Sequence, residues 1–269
     1  ALQAAELAEE IGNRRRWQEN SSCLALALYS RGEIGRSSRL RQQVYADAVK
    51  ENDGQIQIWG LLEFAEIALL QGELAQAIGF LEQAEGVDGD LGLTEDIWMN
   101  GLMGVTLHRL GRNGEAKTAV DKAQAAISVT TPSAFYLLEP ISGMAEVNMA
   151  LWLEAPENDD LKKRAKQTVS LLKQFVRSFP ISKPRSLLWE GIFALHNGQR
   201  DKAIKTWRQG LESARVLEMP YDEGLLLMEL GAQAGGEDSE QAHCFEEARA
   251  IFMALGADYE MERLVALSP

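Results

Sequence analysis

The order of apolar and polar residues along the chain is typical of helices from one end to the other. No segment sustains the period-two alternation of a half-buried strand, so essentially no β-sheet is expected. The pattern predicts an all-α protein of about fourteen helices. The predicted helices cover residues 2–11, 14–31, 36–51, 54–71, 74–86, 93–110, 114–128, 133–153, 159–178, 185–197, 200–217, 221–234, 238–255 and 258–267.

Small and apolar residues recur in one order around glycines. Ala194 lies four positions before Gly198, and Ala203 and Trp207 follow it by five and nine positions. The same order surrounds three other glycines, with Ala68, Ala77 and Leu81 around Gly72, Leu107, Ala116 and Val120 around Gly111, and a weaker copy of Leu28, Ser37 and Arg41 around Gly32. These glycines are 40, 39 and 87 residues apart, and the last interval holds two units. A copy that has lost its glycine is therefore expected near residues 132–178.

Each repeat is interpreted as a helical hairpin. Glycine tolerates the left-handed backbone of a tight turn, the alanines let two helices approach, and the large residue fills the gap between them. Because one hairpin cannot bury its apolar faces alone, the hairpins should stack. Pro132, Pro184 and Pro220 fall where first helices should begin, whereas Pro140 should kink its helix or mark a restart. The predicted units cover residues 14–51, 54–86, 93–128, 132–178, 184–217 and 220–255.

This order of residues resembles the tetratricopeptide repeat (TPR). Three copies carry the resemblance: Ala65, Ala68, Gly72, Ala77, Leu81 and Ala84; Gly104, Leu107, Gly111, Ala116, Val120 and Ala123; and Gly191, Ala194, Gly198, Ala203, Trp207 and Gly210. The units are 39 or 40 residues long rather than about 34. The resemblance implies a right-handed α-solenoid of about six to seven hairpins that forms a single domain over residues 1–269.

Four longer segments carry a narrower resemblance. They read F-P-I-S-K-P-R-S-L-L-W-E-G, A-I-K-T-W-R-Q-G-L-E-S-A, M-P-Y-D-E-G-L-L-L-M-E-L-G and C-F-E-E-A-R-A-I-F-M-A-L-G-A-D-Y-E. Together they look like the C-terminal helical region of large bacterial signalling proteins, in which a class III nucleotide cyclase domain precedes an AAA/STAND-type NTPase. The resemblance implies a fragment whose catalytic domains precede Ala1. NTPase-type transcriptional activators have related regions and remain a possible parent.

The residues themselves predict no catalytic, metal or cofactor site. The chain lacks the G-x-x-x-x-G-K-[ST] sequence of a phosphate loop. Its histidines, His108, His196 and His243, fall on three different units, and neither Cys23 nor Cys244 belongs to a C-x-x-C pair. Packing is therefore the expected role of Trp207 and Trp189.

The net charge of the chain and the length of its apolar runs limit which binding partners and surroundings are expected. Forty acidic against 27 basic residues give a formal charge of −13, which disfavours nucleic acid and anionic membrane surfaces. No apolar run approaches the roughly 18 residues that span a bilayer. Two cysteines 221 positions apart suggest no disulfide framework, so a reducing cytoplasm is expected.

A binding groove is the remaining functional candidate. In a TPR superhelix the first helix of each hairpin lines the concave face, and repeat alignment places Trp59 and Trp98 at equivalent positions there. The predicted groove residues are Trp59, Leu62, Glu66, Trp98, His108, Arg109, Arg185 and His196. Such a groove could receive an acidic or aromatic-bearing protein segment, or the parent's own NTPase or cyclase core. The alternative interpretation is that the tryptophans only pack between repeats.

The expected function is thus a non-catalytic regulatory or sensor domain. Three alternatives stay open: a small-molecule effector that fills the lumen, a purely structural scaffold that forms a homodimer, and an enzyme on a helical scaffold. The last has the least support, because no catalytic constellation is apparent.

Overall fold

The computed structural model describes residues 1–88, 92–131, 134–234 and 238–267. Within these ranges the chain forms fourteen α-helices and no strand, which confirms the predicted all-α fold. The helices are α1 (Leu2–Glu10), α2 (Arg14–Ser30), α3 (Ile34–Glu51), α4 (Gly54–Leu70), α5 (Leu74–Glu85), α6 (Leu93–Arg109), α7 (Asn113–Val129), α8 (Leu138–Glu154), α9 (Asp159–Ser178), α10 (Lys183–His196), α11 (Arg200–Val216), α12 (Pro220–Gln233), α13 (Asp238–Leu255) and α14 (Asp258–Leu267). The predicted helix start at Pro132 lies outside the described residues.

Antiparallel hairpins stack into an α-solenoid. The even-numbered first helices pack side by side from α4 to α14, and each second helix from α3 to α11 also packs against the next first helix. The helix α1 is a second helix that packs on α2. This arrangement places the first helices along the concave side, where the sequence predicts the groove.

The repeated glycines end the first helices as predicted. Gly32, Gly72, Gly111 and Gly198 all have φ of 75° or 76°, in the left-handed region that side chains with a Cβ rarely adopt. The backbone N–H of the residue after each glycine donates to the carbonyl four positions before the glycine. At Gly72, for example, Glu73 donates to Ala68 at 2.8 Å. The repeat order therefore encodes a helix-ending turn directly.

The small and large residues of each unit fit one another inside the hairpin. The indole of Trp207 is fully buried against Gly191, where a Cβ would lie 2.2 Å from Nε1. That Nε1 donates to the carbonyl of Leu188 at 3.0 Å. The packing role expected for Trp207 is confirmed, and Trp189 is also buried.

The unit without a turn glycine starts differently from the prediction. A helix was expected from residue 133, but a short 3₁₀ turn (Phe135–Leu137) precedes α8, which begins at Leu138. Pro140 is the third residue of α8, so it cannot donate to the carbonyl four positions back and its ring blocks continuation through Tyr136. Pro140 thus marks the predicted restart. Asn158 replaces the glycine turn by capping α9, since its side chain accepts from Asp160 and Leu161.

The two ends of the solenoid meet. Pro220 and Leu255 pack so closely on the turn glycine Gly32 that a Cβ there would lie 2.7 and 2.8 Å from their side chains. Arg31, next to this glycine, pairs with Glu218. One apolar cluster joins α2 and α4 to the last helices, including Tyr29, Leu70, Leu188, Leu225 and Phe252. The superhelix is therefore closed on itself, and its concave side becomes a core.

Candidate functional site: the concave core

Most of the predicted groove residues lie in this closed core. Leu62, Glu66, Trp98 and Arg185 are buried, Trp59, His108 and Arg109 are partly exposed, and His196 is exposed. The structure joins Trp98 to Glu66, and Glu66 lines one cavity together with Arg109 and Arg185. Their role in binding a partner stays a prediction.

Tyr136 joins the two equivalent tryptophans. Its ring stacks on Trp98 at a centroid distance of 4.4 Å and lies 6.2 Å from Trp59. The Nε1 of Trp59 donates to Glu95 and that of Trp98 to Glu66, both at 2.9 Å. Burial, with a smaller effect of Glu95, raises the pKa of Tyr136 to about 12. The tryptophans do pack between neighbouring units, and the rings of Trp59 and Tyr136 are partly exposed.

One buried guanidinium is shared by two buried carboxylates. Arg41 occupies the large-residue position of the weak first repeat and is fully buried. Its Nη2 lies 3.3 Å from Glu66, its Nη1 donates to the carbonyl of Glu63, and its Nε lies 3.8 Å from the Glu63 carboxylate. Burial raises the pKa of Glu63 to about 7 and that of Glu66 to about 8, although Arg41 opposes both shifts. A single positive charge does not compensate both carboxylates in this apolar setting.

Arg185 links three consecutive first helices. From α10 it donates to Asp222 on α12 at 2.8 Å and to Glu139 on α8 at 3.0 Å. It also donates to the hydroxyl of Ser142 at 3.1 Å, which accepts from Trp189 as well. The side chain of Arg185 is 4% exposed, so these bonds are shielded from water.

Arg109 connects the middle of the chain to its last helix. Its guanidinium binds the Glu146 carboxylate through two bonds of 2.9 and 2.8 Å. It also lies 4.0 Å from the ring centroid of Tyr259 and 3.6 Å from Glu260. Burial alone would raise the pKa of Glu146, but Arg109 holds it below its usual range. Glu260 accepts a further bond from the hydroxyl of Tyr221 at 2.9 Å.

The two predicted histidines lie away from this network. The Nδ1 of His108 is 2.9 Å from the Asn113 side chain at the α6–α7 turn, although the neighbouring Arg109 points into the core. His196 ends α10 and is exposed. His108 is next to the groove position Arg109, and adjacent helix positions face different directions. His196 was aligned with Arg109 itself, but as the last residue of α10 it is exposed and does not reach the core.

Only a small space remains between the first helices. A cavity of about 50 Å³ is lined by five carboxylates and three guanidiniums, from Glu66, Glu139, Glu146, Glu229, Glu260, Arg109, Arg185 and Arg263. One water needs roughly 10–15 Å³, whereas ligand pockets span about 300–1,000 Å³. The closed core has room for a few waters, not for a drug-sized effector.

The acidic partners of this network were not predicted from the sequence. Glu139, Glu146, Asp222 and Glu260 lie on α8, α12 and α14, where repeat alignment was weak or absent. One signal was available on α4, whose only charged residues, Glu63 and Glu66, stand in an otherwise apolar segment. Isolated charges on such a helix indicate buried partners.

Comparison with known proteins supports the fold. No family model and no curated protein matches the chain. The structure is similar to the crystal structure of a Signal Transduction ATPase with Numerous Domains (STAND) protein with a tetratricopeptide repeat sensor from Pyrococcus horikoshii, with a TM-score of 0.57 and 16% identity. The match covers 98% of this chain and 37% of that protein. The chain therefore has a TPR-like solenoid fold. No helix within the described ranges is long and apolar enough to cross a bilayer.

Proposed function

We propose that this chain is a non-catalytic regulatory domain of a larger signalling protein with an NTPase core. The observation that carries the proposal is the closed concave face, which charged side chains from α4, α6, α8, α10, α12 and α14 hold together. An arrangement of this kind can have two states, since opening the ring separates the same contacts as one event. The likeness to a STAND protein with a TPR sensor supports a sensor role of this kind.

The partner that we propose is a protein segment or the NTPase core itself. Trp59 and Tyr136 offer a partly exposed aromatic surface, and Arg15 lies 5.8 Å from the Trp59 ring. Aromatic side chains with a nearby arginine are typical of residues that dominate protein interfaces. A nucleotide cyclase in the same parent is the finer form of this proposal, and it rests on the sequence resemblance alone.

A small-molecule effector is the second candidate. The cavity of about 50 Å³ would have to widen several-fold to hold one, so ligand binding would be coupled to opening of the ring. A thermal-shift screen separates this candidate from the first, because a ligand stabilises the protein without any partner present. A homodimeric scaffold would instead show concentration-dependent light scattering.

The direct experiment compares the parent with and without residues 1–269. NTP hydrolysis and nucleotide cyclisation would be measured for both forms, and for the isolated chain. We expect the deletion to change at least one rate while the isolated chain turns over nothing. If neither rate changes, the domain serves localisation or assembly and the regulatory proposal fails.

A point variant tests the aromatic surface within the parent. Trp59→Ala should weaken regulation because it removes the partly exposed indole from the concave side. Circular dichroism should show that the variant keeps its helices. The matched control is Phe80→Ala, which truncates a half-buried aromatic on the second helix α5. Equal regulation in a folded Trp59→Ala protein would count against this surface.

A further inference from the structure

The last helix, α14, is short and packs against the concave face, where Leu264 is fully buried and Arg263 lies 4.0 Å from Glu229. It has ten residues, and its buried side chains are Glu260 and Leu264. It packs on α13, on α12 and across the core on α4. Isolated helices shorter than about 12–15 residues are marginal in water, so α14 depends on these contacts.

The main polar anchor of α14 is an aromatic–acidic pair. The ring of Tyr259 lies over the Arg109 guanidinium at 4.0 Å, and the carboxylate of Glu260 lies 3.6 Å from the same group. Tyr221 donates to Glu260 as well, at 2.9 Å. One guanidinium thus receives a π-face and a carboxylate from two adjacent residues.

The receiving surface is built by other helices. Glu146 binds Arg109 through two bonds and so fixes its orientation independently of α14. Gly72, on the α4–α5 turn, leaves room for the start of α14, because a Cβ there would lie 3.1 Å from the backbone nitrogen of Tyr259. The site is therefore in place before α14 docks, which lowers the cost of binding.

The connection to α14 permits its release. Gly256, with φ of 65°, ends α13 and is followed by a single residue, Ala257, before α14 begins. A short helix that is held by tertiary contacts is typical of segments that open locally without global unfolding. Detachment of α14 would uncover Arg109 and leave the ring open at this point.

From these contacts we infer that the Arg109 site is a receptor for a helical protein segment that carries an aromatic residue followed directly by glutamate. In this structure α14 is its internal occupant, and a partner segment of the same chemistry competes with it. The inference rests on the proposed regulatory function and names the partner class for it. Arg109 is a residue that binds the segment, and Glu146 is the residue that positions Arg109.

The test measures binding of a labelled peptide with the sequence of residues 257–267, A-D-Y-E-M-E-R-L-V-A-L, to the full chain by fluorescence anisotropy. Glu260→Gln in the chain weakens the internal occupant by removing a charge-assisted contact. We expect this variant to bind the peptide at least about tenfold more tightly than the unmodified chain, because the internal helix loses the charge that lies 3.6 Å from Arg109 and accepts from Tyr221.

Two second-site variants assign the binding to Arg109. Adding Arg109→Gln to Glu260→Gln should abolish the gain, whereas adding Arg208→Gln, an exposed arginine that pairs with Glu240, should leave it intact. Circular dichroism and cooperative melting would verify that each variant folds. A chain with Glu260→Gln that binds no more tightly than the unmodified chain would overturn the inference, as would binding that ignores Arg109.

Altered peptides test whether the site binds the aromatic–glutamate pair even if the Arg109 variant does not fold. On the Glu260→Gln chain, peptides that carry Glu260→Gln or Tyr259→Leu should each bind at least about fivefold more weakly than the parent peptide, and equal binding of all three would refute the receptor. This assay uses no nucleotide activity. Its failure would therefore remove the role of α14 while leaving the regulatory function to be judged by deletion in the parent.

Discussion

Trp207 and Arg109 are both large side chains between helices, but they stabilise different levels of the structure. Trp207 lies against Gly191 within one hairpin, so its contacts form as soon as two neighbouring helices meet. Arg109 joins α6 to α8 through Glu146 and to α14 through Glu260, and the second of these contacts exists only in the closed ring. The difference shows that hairpin formation and ring closure rest on separate chemistry, which is apolar fit in one case and buried charge pairing in the other.

The largest effect is expected where the concave charges are broken. Arg185→Leu leaves Glu139 and Asp222 without their shared partner, and removal of one member of a buried ion pair costs about 3–5 kcal/mol. Denaturant unfolding of the isolated chain would measure the loss. Arg208→Leu, in which an exposed pair is lost, should cost about 1 kcal/mol or less. Equal losses in the two variants would mean that the concave network does not stabilise the closed ring.

The hairpin interior should respond to volume rather than to charge. Gly191→Ala places a Cβ within 2.2 Å of the Trp207 indole, and overpacking of a filled core costs about 1–3 kcal/mol. Gly79→Ala is the matched control, because a Cβ on that helical glycine meets nothing within 4 Å. There alanine should stabilise the protein by about 0.5–1 kcal/mol. The two thermal midpoints should therefore move in opposite directions, and a shift of the same sign would contradict the packing described here.

The hairpins could be predicted because their determinants are local. A glycine in a left-handed turn and a fitted small and large residue repeat at fixed spacing, so the helices around Gly72, Gly111 and Gly198 followed from the sequence. The start of α8 was predicted too early, since Pro140 was known to interrupt the helix but the site of the restart was not. The proline ring sets that boundary, because it blocks continuation of the helix through Tyr136.

Closure of the ring could not be predicted from the repeat. Contacts such as Pro220 on Gly32, or Glu260 near Arg109, depend on how small rotations between units add up along the whole chain. A groove could be inferred from the first helices, and Glu66, Trp98 and Arg185 do face inward. No single residue of the sequence indicates whether that groove is open or filled. Arg41 was visible in the repeat as a charged residue in an apolar position, yet its partners on α4 were not.

The smallest effect on stability is expected from the titration of one buried carboxyl group, Glu63. It tests the charged concave core without altering the packing inside the hairpins. In the unfolded chain Glu63 would titrate near the ordinary 4.5, whereas burial raises its pKa to about 7 in the folded protein. Between these values the folded protein holds a proton that the unfolded chain has released, so stability falls as pH rises through this window. From pH 6 to pH 8 the Glu63 contribution to this loss should be about 1 kcal/mol, since one pKa unit corresponds to about 1.4 kcal/mol. Glu66, whose pKa burial raises to about 8, adds a loss of the same sign.

Glu63→Gln replaces the carboxyl by a neutral group of the same size, so it should remove the Glu63 contribution to this slope and leave that of Glu66. Glu212→Gln, on the exposed face of α11, should leave the slope unchanged. Thermal midpoints would be measured at pH 6, 7 and 8 for Glu63→Gln and the unmodified chain. The gap between them should shift in favour of Glu63→Gln as the pH rises. A constant gap would mean that Glu63 stays ionised beside Arg41 throughout. In that case Arg41 would balance the charge of the buried carboxylate, and the stability of the charged core would depend on pH no more than that of the apolar hairpins.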